Sequence, residues 1–207
     1  MGGWGVWLLR HRMLHRYLPY LLISLATFAL GAVFGLMAYG VLTPAELGGL
    51  TQAVNDWVAR LRTAGPEPGW FTPALTTNLK SLGLLYLLGL SVVGLPLVLA
   101  ALFLRGFVIG FSLGVLWNDR TQPTMGWVLG SVALQNALWV PALVVTGALA
   151  LSFSWWLIRG RGTFGEPGLG AEFGQYTVGS ALMAAVAVAA TAWEVLGAPA
   201  LLRWVAG

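Results

Sequence analysis

Residues 79–117 read LKSLGLLYLLGLSVVGLPLVLAALFLRGFVIGFSLGVLW. The run is about twice the roughly 20 apolar residues that one helix needs to cross a bilayer. Two helices must fit inside it with almost no loop between them. The first arm is expected over Leu79–Phe103, followed by a turn at Leu104-Arg105-Gly106. The second arm, Phe107–Trp117, is then short, and either re-entrant or strongly tilted. The alternative break is Gly94-Leu95-Pro96. Irregular backbone at that depth survives only where protein or a watery cavity satisfies its polar groups.

The rest of the chain has the same character. Of its 207 residues 58% are hydrophobic and 9% charged, with a mean hydropathy of +0.80. Soluble domains carry about 25% charged residues, so too few charges exist here to cover a water-facing surface. The expectation is an all-α integral membrane bundle of about five spans, forming a single transmembrane domain over residues 1–207. Cysteine is absent and the histidines are His11 and His15, which excludes the usual cysteine and histidine metal sites. The net charge of +4 comes from 11 basic residues, several at span edges. That pattern fits topology and lipid headgroups, not nucleic acid.

Residues 1–16 carry Arg10, Arg12 and Arg16 and no acid, as a short interfacial helix or basic flank would. The first span, 17–41, is read as retained and not as a cleaved signal. It contains Gly31 and Gly35, a small-xxx-small pair that lets another helix approach closely. Gly106, Gly110 and Gly114 form a second such face. Faces of this kind left unfilled within one chain would point to a homo-oligomer.

The polar stretch 42–77 opens with Thr43-Pro44-Ala45-Glu46, an N-cap, a proline suited to the first helical position and a capping-box glutamate. Leu47, Leu50, Val54, Val58 and Leu61 then fall on one helical face. An amphipathic helix over about 44–63 is expected on the outer membrane surface. It either lies in the headgroups and caps the bundle, or docks an extracytoplasmic partner through residues such as Trp57 and Arg60. Further spans are expected at 127–151, containing Gln135, Asn136 and Pro141, and at 176–196, ending near Glu194 and Pro199. The tryptophans at 155–156 mark an aromatic belt before the basic loop of Arg159 and Arg161.

Counting crossings puts the N-terminus in the cytoplasm, residues 42–77 outside, Arg105 inside, Asp119 outside, Arg159 inside and the C-terminus outside. The arginines at 10–16, 105 and 159–161 agree with that count; Arg60, Arg62, Arg120 and Arg203 oppose it.

Catalytic chemistry finds little footing. Gly110-Phe111-Ser112-Leu113-Gly114 matches G-x-S-x-G, but that motif needs a strand-to-helix elbow and a histidine. No cofactor is implied. The polar residues at or within spans are Asn78, Lys80, Arg105, Gln135, Asn136 and Glu194. Lys80 and Arg105 can snorkel, and Gln135 and Asn136 can bond between helices. Glu194 needs a partner, and Lys80 lies at matching depth in this topology.

From Asn78 to Pro199 the residues resemble the stage II sporulation protein M family. The resemblance is carried by Asn78-Leu79-Lys80 with the run 88–96, by residues 102–114, by Gln135-Asn136 with Pro141-Ala142, and by Ala192-Trp193-Glu194 with Pro199. Broader relatives tend to have Asn-Gly in place of Arg105-Gly106. Near Gln135-Asn136 and Trp139 they often carry a His-Gly pair and a glutamate. The resemblance implies a role in forespore engulfment as a scaffold for two partners, stage II sporulation proteins D and P, which cleave peptidoglycan. The competing class is a transporter or channel component, supported by the Gly-Pro break and the polar residues within spans. A continuous polar cavity beside Pro96, Arg105 or Asn136 would favour transport, and a closed apolar core the scaffold.

Overall fold

A computed structural model describes residues 3–64, 71–118, 125–159 and 168–192. The described residues form six helices and no strand. These are α1 (Gly3–Tyr39), α2 (Pro44–Ala64), α3 (Phe71–Gly89), α4 (Gly94–Asn118), α5 (Met125–Arg159) and α6 (Leu169–Ala192). Four carry stretches long and apolar enough to cross a membrane: Arg16–Tyr39, Gly94–Val115, Asn136–Arg159 and Leu169–Ala192. The protein is a multi-pass membrane protein. α3 falls short of that standard because Thr72, Thr76, Thr77, Asn78 and Lys80 make its first half polar. It still packs against α4, α5 and α6, as a fifth helix of the bundle.

The decisive stretch breaks just before Gly94-Leu95-Pro96, not at Arg105. α3 ends at Gly89, Leu90–Val93 turn, and α4 begins at Gly94. The turn satisfies its own backbone: Gly94 N donates to the Ser91 carbonyl at 3.0 Å, and Val93 N to Ser91 Oγ at 3.2 Å. Pro96 then sits in the first turn of α4, where a missing N–H costs nothing. The close approach of the two helix ends requires glycine at 94, because a β-carbon there would overlap the Leu88 carbonyl. Leu104-Arg105-Gly106 therefore lies inside a continuous helix. Phe107–Trp117 is its second half, not a separate short arm.

Other boundaries shift in the same direction. α1 runs unbroken through Pro19 from residue 3, with no separate interfacial helix before the span. α5 is longer than 127–151 and takes in both tryptophans and Arg159. α6 begins at Leu169, before the expected start at 176, and takes in Gly170 and Gly174.

Contacts fix which helix ends lie together. At one end Arg16 meets Glu172, Phe153 meets Phe173, and Ser154 Oγ donates to the Ser91 carbonyl at 2.7 Å. The start of α1's spanning part at Arg16, the α3–α4 turn, the end of α5 and the start of α6 therefore share this end. At the other end Asn78 bonds Thr191 and Gly114 abuts Tyr39, so α1 ends and α3 begins at that end.

α5 is the central helix. Two thirds of its spanning window is buried (67%), against 22% for α1 and for α6. Leu85, Val98, Leu102 and Leu143 fill the middle of the bundle, all 2% exposed or less. Leu22, Leu30, Phe34, Met37, Leu87 and Val178 face outward, as a surface solvated by acyl chains requires. Several hydroxyls at this depth are satisfied locally, whereas the buried Ser24 and Ser180 hydroxyls have no hydrogen-bond partner among the described residues. Ser81, Ser112, Thr146 and Thr191 each donate to the carbonyl four residues back, at 2.8–2.9 Å. Ser112 thus sits mid-helix on α4, with no strand-to-helix elbow beneath it.

The glycine faces are filled within the chain. A β-carbon on Gly31 would overlap the Phe103 carbonyl, on Gly35 that of Phe107, on Gly106 that of Phe28, and on Gly110 that of Ala32. Gly114 lies against Tyr39. α1 and α4 cross here at backbone contact. These faces supply no argument for a homo-oligomer.

Candidate functional site

A cleft of about 450 Å³ lies between α3 and α4, with Leu143 of α5 behind it. Its polar lining is Thr77, Lys80, Ser81 and Arg105. Arg105 comes from α4 and the other three from α3, so the hairpin itself assembles the group. At 1.5 Å per residue, Arg105 is about 16 Å along α4 from Gly94, near the middle of a 30 Å apolar layer. A cation at that depth costs about 2.5–3.5 kcal/mol on insertion scales unless something compensates it.

Two contacts provide that compensation. An Arg105 guanidinium nitrogen donates to Ser81 Oγ, which in turn donates to the Thr77 carbonyl. The guanidinium also lies over the Trp139 ring, 5.5 Å from its centre, a contact worth about 2 kcal/mol when desolvated. Trp139 is 5% exposed, so this platform is fixed by burial. Among the described residues neither Lys80 nor Arg105 has a carboxylate partner. The interior side of the cleft is closed by Leu85, Ala101 and Leu143, and its mouth opens between Leu84, Leu104 and Val108, each more than half exposed. The cleft faces the lipid sideways.

The other expected site residues fall in several places. Asn78 donates to Thr191 Oγ1 at 3.0 Å, tying α3 to α6 two residues before Lys80. Pro141 is exposed inside α5, and Asn136 is half-buried one turn before it with a polar contact of its own. Gln135, Trp57 and Arg60 lie on described helices, but their side chains are outside the described set. Glu194 and Pro199, and with them the Lys80–Glu194 pairing, lie outside the described residues.

Residues that the sequence did not single out form the opposite end of the bundle. Glu172, 3% exposed, meets Arg16 at 2.7 Å, an ion contact without hydrogen-bond alignment. Tyr176 donates to the Tyr86 carbonyl at 2.7 Å and stacks on Tyr86 and Phe153 with centroids at 5.0 and 4.8 Å. Tyr86 shares a 3.1 Å hydrogen bond with Thr177. A β-carbon on Gly89 would run into the Tyr176 hydroxyl and Ala150, so this glycine admits the aromatic cluster. The only available signal was an acid in the first turn of an apolar segment, Glu172, opposite the basic flank of another.

Outside the bundle, α2 carries its own start signal. Thr43 N and Oγ1 both donate to Glu46 Oε2, at 2.8 and 2.7 Å, and Glu46 N returns to Thr43 Oγ1 at 3.5 Å. This is the capping box expected from the sequence. The Thr43 hydrogen bonds hold the Glu46 carboxyl below its ordinary pKa. Leu47 and Leu50 are half-buried, whereas Glu46, Gly48, Gly49 and Gln52 are exposed, the amphipathic division that the spacing implied.

A family model described as stage II sporulation protein M matches residues 24–195. That range takes in α2 to α6 entire and most of the spanning part of α1. Comparison with curated proteins and with solved structures finds no match.

Proposed function

The chain belongs to the stage II sporulation protein M family, and from that premise we propose that it is a non-enzymatic membrane scaffold. In this reading it localises peptidoglycan hydrolases, relatives of stage II sporulation proteins D and P, during forespore engulfment. The observation that carries the reading is α2. It is a self-capped amphipathic helix in the 31-residue connection between the ends of α1 and α3, at the bundle end opposite the α3–α4 turn. A helix of that kind offers a docking element while the spans hold it in place. The apolar filling behind Arg105 also supports a scaffold over a solute path.

Orientation follows from charge. Arg10, Arg12, Arg16 and Arg159 all belong to the end that holds the α3–α4 turn. The positive-inside rule places that end in the cytoplasm, and α2 and the C-terminus outside. Loss of Arg105 as a loop charge leaves this count unchanged, because the turn at 90–93 still faces the same way.

The test is photocrosslinking from Trp57 or Arg60 in intact sporulating cells. The expected product contains a wall hydrolase of the D or P type, identified by mass spectrometry. Adducts with lipid alone at both positions would contradict the docking role.

A further inference from the structure

Two cations of the hairpin sit at one depth. Arg105 lies about 16 Å along α4 from Gly94, and Lys80 lies about 14 Å along α3 from Gly89, on the other side of the same turn. Both are therefore near the middle of an apolar layer of about 30 Å, and both line one cleft of about 450 Å³. Ser81 and Trp139 orient the Arg105 guanidinium, but both are neutral and leave its charge uncancelled. Among the described residues no carboxylate meets either cation. The cleft opens sideways, between Leu84, Leu104 and Val108. Thr77, Lys80, Leu84 and Leu87 share one exposed face of α3, so a polar pair interrupts a surface that is otherwise fit for acyl chains.

Depth selects the anion. A lipid phosphate stays at the interface, and a soluble anion would have to cross acyl chains, so neither is delivered to the middle of the layer. A carboxylate carried on a transmembrane helix is, and ionisable side chains within spans pair with one another. A second copy of this chain has none to offer. Of its 7 acidic residues, Glu172 stands in the first turn of α6 and meets Arg16 at the turn end of the bundle, and the rest lie outside the spanning stretches. We propose that the cleft between α3 and α4 docks a transmembrane helix of a different protein, one that carries a Glu or Asp about halfway along its span. Its carboxylate pairs with the Arg105 guanidinium, whose fixed fork of donors suits a carboxylate. Lys80 and Thr77 border the pair, and the rest of the helix packs along Leu84, Leu104 and Val108. The charge pair sets partner choice and depth, because a helix without the acid leaves Arg105 uncancelled. The inference rests on the cleft and not on α2, so it stands or falls apart from the hydrolase-docking role.

The experiment reconstitutes the full chain in phosphatidylcholine vesicles with a synthetic single-span peptide and follows their association by fluorescence energy transfer. The peptide is a leucine–alanine helix of about 20 residues with one central Glu. Matched peptides carry Gln at the centre, or the Glu about eight residues, roughly 12 Å, nearer one end. Wild type is expected to bind the central-Glu peptide roughly tenfold more tightly than either, the size of one charge-assisted contact. Arg105→Gln is expected to erase that preference, and Lys80→Gln, a change to an exposed side chain, to reduce it. Arg159→Gln, remote from the cleft, is expected to keep it. Comparing the peptides on wild type requires no substitution in the chain, so a poorly folding Arg105→Gln leaves the test intact. Equal affinity of wild type for the central Glu and Gln peptides, or a preference that survives in Arg105→Gln, would overturn the proposal. Tighter binding of the end-placed Glu would overturn it too, since the anion would then sit at the interface. Energy transfer between two labelled copies of the full chain that Arg105→Gln abolishes would assign the cleft to a second copy instead.

Discussion

Gly106 and Gly83 are both helical glycines in the hairpin, and the structure gives them opposite roles. A β-carbon on Gly106 would enter the Phe28 carbonyl, whereas one on Gly83 meets nothing within 4 Å. Gly106→Ala and Gly110→Ala should each destabilise the bundle by about 1–3 kcal/mol, the usual cost of overpacking. Gly83→Ala should be neutral or slightly stabilising. Thermal unfolding in one detergent would compare the three. The spacing of these glycines was legible in the sequence, because small residues four apart share a helix face that another backbone can approach. Their partner was not, since nothing local says that α1 and not a second copy fills it. Arg105 misled for a physical reason. An Arg-Gly pair in an apolar run looks like a turn, and only the distant Trp139 and the Ser81 hydroxyl make it tolerable inside a helix.

Individual elements follow local rules where they face water and tertiary rules where they face each other. The capping box at Thr43 and Glu46 could be read directly, because all its atoms lie within four residues. Its pH behaviour follows from the lowered Glu46 pKa. The contribution to α2 is complete above the ordinary glutamate value of 4.5 and is lost as pH falls through the lower folded value. Amide exchange of residues 44–50 should therefore accelerate only below about pH 4.5 in wild type, and Glu46→Gln should flatten that dependence. The α3–α6 contact behaves differently. Tyr176→Phe removes the bond to the Tyr86 carbonyl and should cost about 1 kcal/mol. Tyr176→Ala also empties the stack and should cost about 3–5 kcal/mol. Equal Tm values for the two variants would show that the ring stack carries no weight. This cluster was illegible beforehand because its members are about 90 residues apart in the chain.

For the whole molecule, hydropathy alone was enough to establish an all-helical membrane bundle. It did not locate the reversal inside 79–117, because the run is apolar from end to end and either glycine pair could break it. The choice fell to the backbone: Ser91 closes the turn, and Pro96 falls in the first turn of α4, where its missing N–H costs nothing. From that choice follow the lipid-facing cleft, the depth of Arg105 and the placement of α2 opposite the turn. Single-cysteine labelling tests all three together, and the chain has no native cysteine to interfere. Ser91→Cys, Gly168→Cys, Gln52→Cys and Arg105→Cys would be exposed to a membrane-impermeant maleimide in right-side-out and inverted vesicles. The account predicts that positions 91 and 168 label only in inverted vesicles, 52 only in right-side-out vesicles, and 105 in neither. Labelling of 105 from the same face as 91, or of 52 and 91 from one face, would contradict it.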